Sequence, residues 1–308
     1  MKPETQSFYE AAVQRAAERV ASDLDSALDL SALARTAALS PLHFHRVFRG
    51  MLGETPLELH RRLRLERAAS ALRSSDAPVT EIAFTAGYET HESFTRAFRE
   101  HYACSPTDFR RSHREHDPSC GRPPQSELAA RSGIHFDAAR AAVTPIVLNR
   151  RGGDMDVTIK EMPELRVATV SHRGPYNRIS EAFARLGQLA AGARLFGPES
   201  AMIAIYHDDP ETTPESELRS DAALVVSRDA KLPAGLGELR LPSGRYACTT
   251  HVGPYEELGD AWARLMGEWL PKSGARVTDG VSYEIYRNTP ADVPKSELRT
   301  ELYVPLKE

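Results

Sequence analysis

Cysteine is scarce in this chain, with three in 308 residues. Cys104, Cys120 and Cys248 are odd in number and widely spaced. That pattern fits neither a disulfide framework nor a zinc site, and three isolated thiols are expected. Long apolar runs are missing too. No stretch approaches the roughly 20 apolar residues needed to cross a bilayer. The opening MKPETQSFYEAAVQ lacks the apolar core of a secretion signal, so a cytoplasmic chain with no membrane partner is expected. There is no nucleophile elbow, no phosphate-cradling glycine loop and no metal-spaced cluster of His, Cys, Asp or Glu. No catalytic residue, metal or cofactor is expected.

A net positive charge is also lacking: the formal sum is −4. That average seems to argue against nucleic acid, but it hides a split. Residues 1–114 carry 16 Lys+Arg against 15 Asp+Glu, whereas residues 155–308 carry 18 against 23. The front is near neutral and arginine-rich, and the back is acidic. Charge alone therefore does not predict DNA binding. The length suggests two domains, each able to bury its own core.

The front reads as helix after helix. SFYEAAVQRAAERVASDL places Phe8, Ala12, Val13 and Ala16 at helical spacing. LSALARTAALS, PLHFHRVFRGML, LELHRRLRLERAASALRSS, VTEIAFTAGYE and THESFTRAFREHY follow. From 112 to 154 the chain is rich in Pro, Ser, Gly and Arg, as in SHREHDPSCGRPPQSEL. This reads as a linker holding at most a short helix or a docked segment. Beyond Met155 strand-like runs (DVTIKEMPELRVATVSH, AMIAIYHDD, AALVVSR, GRYACTTHV, SYEIYR, ELYVPL) surround two helical ones, the grammar of an α+β domain. The division expected is 1–112, a linker 113–154, and 155–308.

The front repeats itself at an offset of 50. LHFHRVFRGMLGETPLEL (42–59) matches ESFTRAFREHYACSPTDF (92–109), pairing Phe44 with Phe94, Arg46 with Arg96, Phe48 with Phe98 and Pro56 with Pro106. Each copy is a short helix, a tight turn and a second helix. Gly87 suits a turn residue with positive φ, and the first copy has Ala38 in its place. The phenylalanines face the core, which leaves Leu42, His45, Arg46 and Arg49 on the exposed side. A helix-turn-helix offers its second helix to the major groove of double-stranded DNA. Two copies joined by one helix could enter grooves roughly 34 Å apart, so that a monomer reads an asymmetric site. One copy alone is an ordinary helical hairpin; two in register favour DNA. Arg61 and Arg62 either touch phosphate or solvate a helix face.

Residues 6–111 resemble the DNA-binding domain of AraC/XylS-type transcription regulators, most specifically in IAFTAGYETHESFTRAFREHYACSPTDFR. The resemblance implies that Leu42, His45 and Arg46 approach bases from the first recognition helix, and His91, Glu92, Thr95 and Arg96 from the second. Arginine can pair with guanine and glutamate can accept from cytosine. RNA polymerase is a further candidate partner, and a monomer or weak dimer is expected.

The back repeats at an offset of 79 to 80. RVATVSHRGPY (166–176) matches RYACTTHVGPY (245–255), AFAR (182–185) matches AWAR (261–264), and IYHDDPETTPESELRSD (205–221) matches IYRNTPADVPKSELRTE (285–301). The fold class expected is thus multidomain: an all-α double helix-turn-helix domain followed by an α+β domain built from two pseudo-symmetric βαββ repeats. A groove would run along the seam, with both helices on one side of the sheet. His172 and His251 begin the doubled H-x-G-P-Y and could be bases or ligands, but their matching flanks favour equivalent strand ends. The match over 155–308 resembles GyrI-like effector-binding domains. This implies a small-molecule effector and, through the YE pair, a ligand-binding carboxylate at Glu284.

The repeat fails to copy Glu284, which falls in register with Ala204. In SYEIY, Ser282, Glu284 and Tyr286 share one face. A buried carboxylate among rings would invite a cationic or amphipathic ligand, aided by cation–π attraction. Trp262, Tyr176, Tyr255, Tyr283 and Tyr286 complete the candidate ligand set, although a core role for Trp262, and an ordinary ion pair for Glu284, stay open. Two other functions compete. The back domain could hydrolyse a reactive molecule with a carboxyl of raised pKa, or serve only for protein contact.

Overall fold

The computed structural model describes residues 3–115, 134–137, 142–143, 155–208, 210 and 213–307. By contacts the chain forms two compact units. One comprises 1–9, 38–50 and 151–308; the other comprises 10–37 and 51–150. Among the described residues no helix is long and apolar enough to cross a membrane.

Among the described residues seven helices fill the front: α1 Pro3–Ser22, α2 Leu30–Thr36, α3 Pro41–Leu52, α4 Pro56–Ser74, α5 Val79–Thr85, α6 His91–Tyr102 and α7 Pro106–Arg114. Their starts are written in the sequence. The matched Pro56 and Pro106 open α4 and α7, where proline's missing N–H costs nothing. Thr55 and Glu58 close a reciprocal cap, with Thr55 Oγ1 accepting from the Glu58 amide at 3.2 Å and Glu58 accepting from the Thr55 amide at 2.8 Å. Gly87 takes φ +79° between α5 and α6, and Ala38 takes φ +56° at the equivalent point between α2 and α3. The first copy therefore accepts the left-handed strain that glycine removes from the second.

In the second unit, Phe94, Phe98 and Tyr102 of α6 lie four or so apart and pack with Phe109 against Leu65, Ala69 and Leu72 of α4 and Ile82 of α5. The Phe98 ring lies edge-on to Phe109 at 5.3 Å. Helix α3 carries the matching pair Phe44 and Phe48, both buried, but by contacts it falls in the unit that holds the sheet.

Most of the expected linker lies outside the described residues. Within it, a ribbon of β1 Phe136–Asp137 and β2 Ala142–Val143 is described, pairing antiparallel. Ile134 beside it is fully buried, and the Phe136 amide donates to Glu66 at 2.7 Å. This is a docked segment. Cys104 departs from expectation because it is disulfide-bonded, while Cys248 is a buried free thiol. Three cysteines leave room for one bridge, which spacing alone does not reveal.

Among the described residues the first unit also holds an eight-stranded antiparallel sheet. Its strands are β3 Thr158–Met162, β4 Leu165–Arg173, β5 Met202–Tyr206, β6 Arg219–Val225, β7 Gly237–Leu241, β8 Gly244–Val252, β9 Tyr283–Tyr286 and β10 Arg299–Pro305. The order across the sheet is β3-β8-β10-β9-β5-β6-β4-β7. Strands β4 and β8 have the same length and the same residue-by-residue pattern of burial. The two βαββ repeats are thus present, each preceded by an extra strand: β3, which the run DVTIKEMPELRVATVSH joins to β4, and β7, which no strand-like run covers. The extra strands are exchanged: β3 pairs with β8 of the second repeat and β7 with β4 of the first.

One sheet face carries Val167, Ile203, Ile205, Tyr246, Tyr283, Ile285 and Tyr303 as a core. Helix α8 Ser180–Gly192 packs on the other face, through Ala182, Leu186 and Ala190. The second repeat supplies α9 Leu258–Arg264, a π-helical turn over Leu265–Trp269 and α10 Leu270–Ser273. His172 and His251 close the equivalent strands, each donating Nε2–H to a proline carbonyl three residues on, at 3.1 and 3.3 Å.

Candidate functional sites

The first site is α6. Thr90 caps it, accepting from the Ser93 amide at 3.1 Å. With Phe94 and Phe98 turned to the core, Glu92 and Arg96 are exposed one helical turn apart, and His91 and Thr95 are half-buried beside them. The four residues expected at bases therefore share one side of the helix.

The second site is a cavity of about 750 Å³ within the sheet-containing unit. Its lining is built from pairs that the repeat makes equivalent: Tyr176 with Tyr255, Ile179 with Leu258, Phe183 with Trp262 and Tyr206 with Tyr286. Strands β5 and β9 lie side by side in the middle of the sheet, and their residues form the floor. The Phe183 ring meets Tyr286 edge-on at 5.5 Å, Tyr255 meets Tyr286 at 5.2 Å, and Tyr176 meets Tyr206 at 4.8 Å.

Glu284 lies on that floor, 2% exposed. Trp262 Nε1–H donates to one carboxylate oxygen at 2.6 Å and the Tyr286 hydroxyl to the other at 2.7 Å. Burial pushes the Glu284 carboxyl above its ordinary range; the two donors and the positive charge of Arg46 pull the other way. Burial and the Glu284 charge raise the hydroxyls of Tyr206 and Tyr286 as well. The remaining wall comes from α3: Leu42, His45, Arg46 and Arg49. Arg46 lays its guanidinium over the Trp262 ring, 3.7 Å from the centroid.

Residues 155–307 match the GyrI-like small molecule binding domain, and residues 33–112 match a helix-turn-helix domain. The chain is 34% identical over 135 residues to a DNA gyrase inhibitor of Yersinia enterocolitica, covering 42% of this chain and 84% of that protein. It is 31% identical over 98 residues to the regulatory protein SoxS of Salmonella typhimurium, covering 32% of this chain and 92% of that one. The probable transcriptional regulator YgiV of Escherichia coli is 29% identical over 156 residues, 49% of this chain and 96% of its own. The chain is an AraC-type regulator with a C-terminal GyrI-like domain.

An AraC-type regulator of this kind is a DNA-binding transcription regulator that carries a small-molecule-binding domain. Of the residues singled out for the GyrI-like domain, Tyr176, Tyr255, Trp262, Glu284 and Tyr286 come together in the cavity; Tyr283 does not. Strand alternation sends Tyr283 to the opposite face, stacked on Tyr303 at 4.9 Å. Tyr206 was overlooked, although its equivalence to Tyr286 could have found it. In the helix-turn-helix half, two expectations change. His45, read as exposed, is buried, and with Leu42 and Arg46 it lines the cavity. Arg62, read as a phosphate contact or a solvated residue, is buried between carboxylates. It donates to Glu54 at 2.9 and 2.7 Å, to Glu66 at 2.7 Å and to the Ile134 carbonyl at 2.8 Å.

Proposed function

We propose that this regulator senses a cationic organic molecule with an apolar or aromatic body, bound in the cavity over Glu284. The observation that carries the reading is the buried Glu284 carboxylate at the centre of a ring-lined cavity. Burying a carboxylate is costly, the two donors and the Arg46 charge compensate only part of it, and a bound cation offsets more of that cost. A cavity of about 750 Å³ falls in the range used for drug-sized ligands. The Trp262 face already holds a guanidinium, which is support for cation–π recognition at that wall. On the DNA side, residues 1–112 act as the reading domain, with His91, Glu92, Thr95 and Arg96 at one set of bases and Leu42, His45 and Arg46 at another in a state in which α3 has left the cavity wall. Residues 155–308 form the sensing domain, and 113–154 join the two.

The test compares tetraphenylphosphonium with tetraphenylborate, ions of like shape and opposite charge, by calorimetry on the full chain. The cation is expected to bind at least about 10-fold more tightly than the anion, and to lose about 10-fold or more in Glu284→Gln, as for a desolvated charged contact. Equal binding of the two ions, or unchanged affinity in the variant, rules the reading out.

A further inference from the structure

We propose that the reading face of α3 is itself an occupant of the effector cavity, so that an organic cation and the docked helix compete for the same carboxylate and the same ring. This rests on the reading of the cavity as a cation site.

The two recognition helices are copies, yet their reading faces stand differently. Arg96 and Glu92 of α6 are exposed. The matching face of α3 is covered: Arg46 stacks on Trp262 at 3.7 Å, His45 is buried, and Leu42 and Arg49 line the cavity beside them. Around this centre the contact is specific. His43 Nε2 meets Ser282 Oγ at 3.0 Å in a buried hydrogen bond, and Arg49 donates to Asp260 at 3.0 Å. Gly50 packs on backbone. A methyl group there would come within 2.0 Å of the Ala263 carbonyl oxygen and 2.7 Å of Gly267 Cα. Any larger residue at position 50 therefore separates α3 from the second repeat's helical segment.

The residues of this contact are ones that the repeats fail to copy. The position of Gly50 holds Glu100 in α6, and that of His43 holds Ser93. On the other side, Gly267 stands where the first repeat has Gln188, Ser282 where it has Met202, and Trp262 where it has Phe183. Each departure serves the approach of α3, through smaller side chains at the crossing and a hydrogen-bond partner or stacking ring beside it. Covered in this way, the α3 reading face cannot reach a base edge.

A second cation in the cavity would face Arg46 across one buried carboxylate and contend for one Trp262 face. Like charges lining one low-dielectric cavity disfavour each other. The ligand therefore weakens docking, and by linkage undocking strengthens ligand binding by the same factor. Arg46, once released, is free to pair with guanine.

The experiment uses the full chain and two neutral substitutions that obstruct docking without altering charge. Gly50→Leu adds bulk at the crossing; Ser282→Met, which restores the residue of the first repeat, adds it against His43. Binding of a random-sequence duplex of about 30 base pairs is followed by fluorescence anisotropy at fixed salt, since salt alone shifts such affinities. Both variants are expected to bind the duplex about 10-fold more tightly than the wild type, within the usual span of coupling factors. Arg46→Met is expected to bind tetraphenylphosphonium about 10-fold more tightly, with Arg96→Met unchanged. Unchanged or weaker duplex binding in folded Gly50→Leu and Ser282→Met overturns the proposal, as does weaker cation binding in Arg46→Met. If the cation fails to bind any form, the cation-site reading falls alone; the duplex measurement still decides whether α3 is held.

Discussion

Glu284 and Ala204 face each other across β9 and β5. The repeat makes these two positions equivalent, so the pseudo-twofold axis of the sheet passes between them. Two carboxylates at that point would repel each other and force one to stay protonated. One carboxylate opposite a methyl group instead gives a symmetric cavity a single charged side. Trp262 extends the asymmetry, because Phe183 at the equivalent place has no N–H to donate. In Trp262→Phe the ring remains and one donor to Glu284 is lost. Tetraphenylphosphonium affinity is expected to fall about 10-fold, the size of one hydrogen bond to a charged group. Calorimetry checks this, and an unchanged constant would show that the indole N–H does not support the charged carboxylate.

The raised pKa of Glu284 makes cation binding depend on pH. In the free protein the carboxyl holds its proton to a higher pH than an ordinary glutamate, because burial disfavours the charge. A bound cation favours the ionised form and draws the pKa down. Affinity should therefore increase as pH rises through the free-state pKa, above the usual carboxylate range, and binding should release a proton. The sign for folding is opposite: an acid with a raised native pKa contributes stability at low pH that is lost as pH rises through that pKa. Calorimetry in buffers of different ionisation enthalpy reads the proton count. Glu284→Gln should flatten the pH dependence, and a steep slope surviving in that variant would place the titration elsewhere.

Arg62 is a structural residue with two carboxylate partners. Its ion pairs with Glu54 and Glu66 are both 2.7 Å long, and the arginine side chain is 9% exposed. The two carboxylates raise its pKa against the effect of burial. Arg62→Met would leave Glu54 and Glu66 poorly compensated in a confined site, costing about 3–5 kcal/mol. Urea denaturation should show that loss as a lowered midpoint at constant slope. A cost under about 1 kcal/mol, typical of a surface pair, would return Arg62 to the solvated role first expected of it.

The periodic features were the ones legible in the sequence. Offsets of 50 and of 79 to 80 exposed both duplications, and from the second followed the fold class, the paired cavity residues and the odd standing of Glu284. Alternation in SYEIY already separated Tyr283 from Glu284, although both entered the candidate ligand set. Strand β7 was missed because GELRL is short, carries two charges in five residues and lies at the sheet's edge, where little apolar patterning is required. The burial of Arg62 depends on the segment at residue 134, 72 positions away, and the covering of α3 on residues beyond 250. Contacts at that separation leave no local period. They did leave one trace, the run of positions at which copies disagree, and Gly50 against Glu100 is the plainest of them.

His43 ties the stability of this contact to acid. It is buried against Ser282, and burial, with the neighbouring Arg46 charge, lowers its pKa to about 3. In the unfolded chain it takes a proton near pH 6.5. A base with a depressed native pKa leaves stability intact above its unfolded pKa, and stability is lost as pH falls from there toward the native value. Each pH unit below about 6.5 should cost about 1.4 kcal/mol through this residue alone. His60 and His101 are lowered too, chiefly by burial, so they act in the same direction. The contribution of His43 is the difference between the wild type and His43→Gln, which keeps a hydrogen-bonding side chain that does not titrate. Between pH 7 and 5 the wild type should lose about 2 kcal/mol more than the variant. Thermal unfolding at the two pH values measures it. Parallel losses in the two proteins would mean that the imidazole is hydrated and free to protonate in the folded chain.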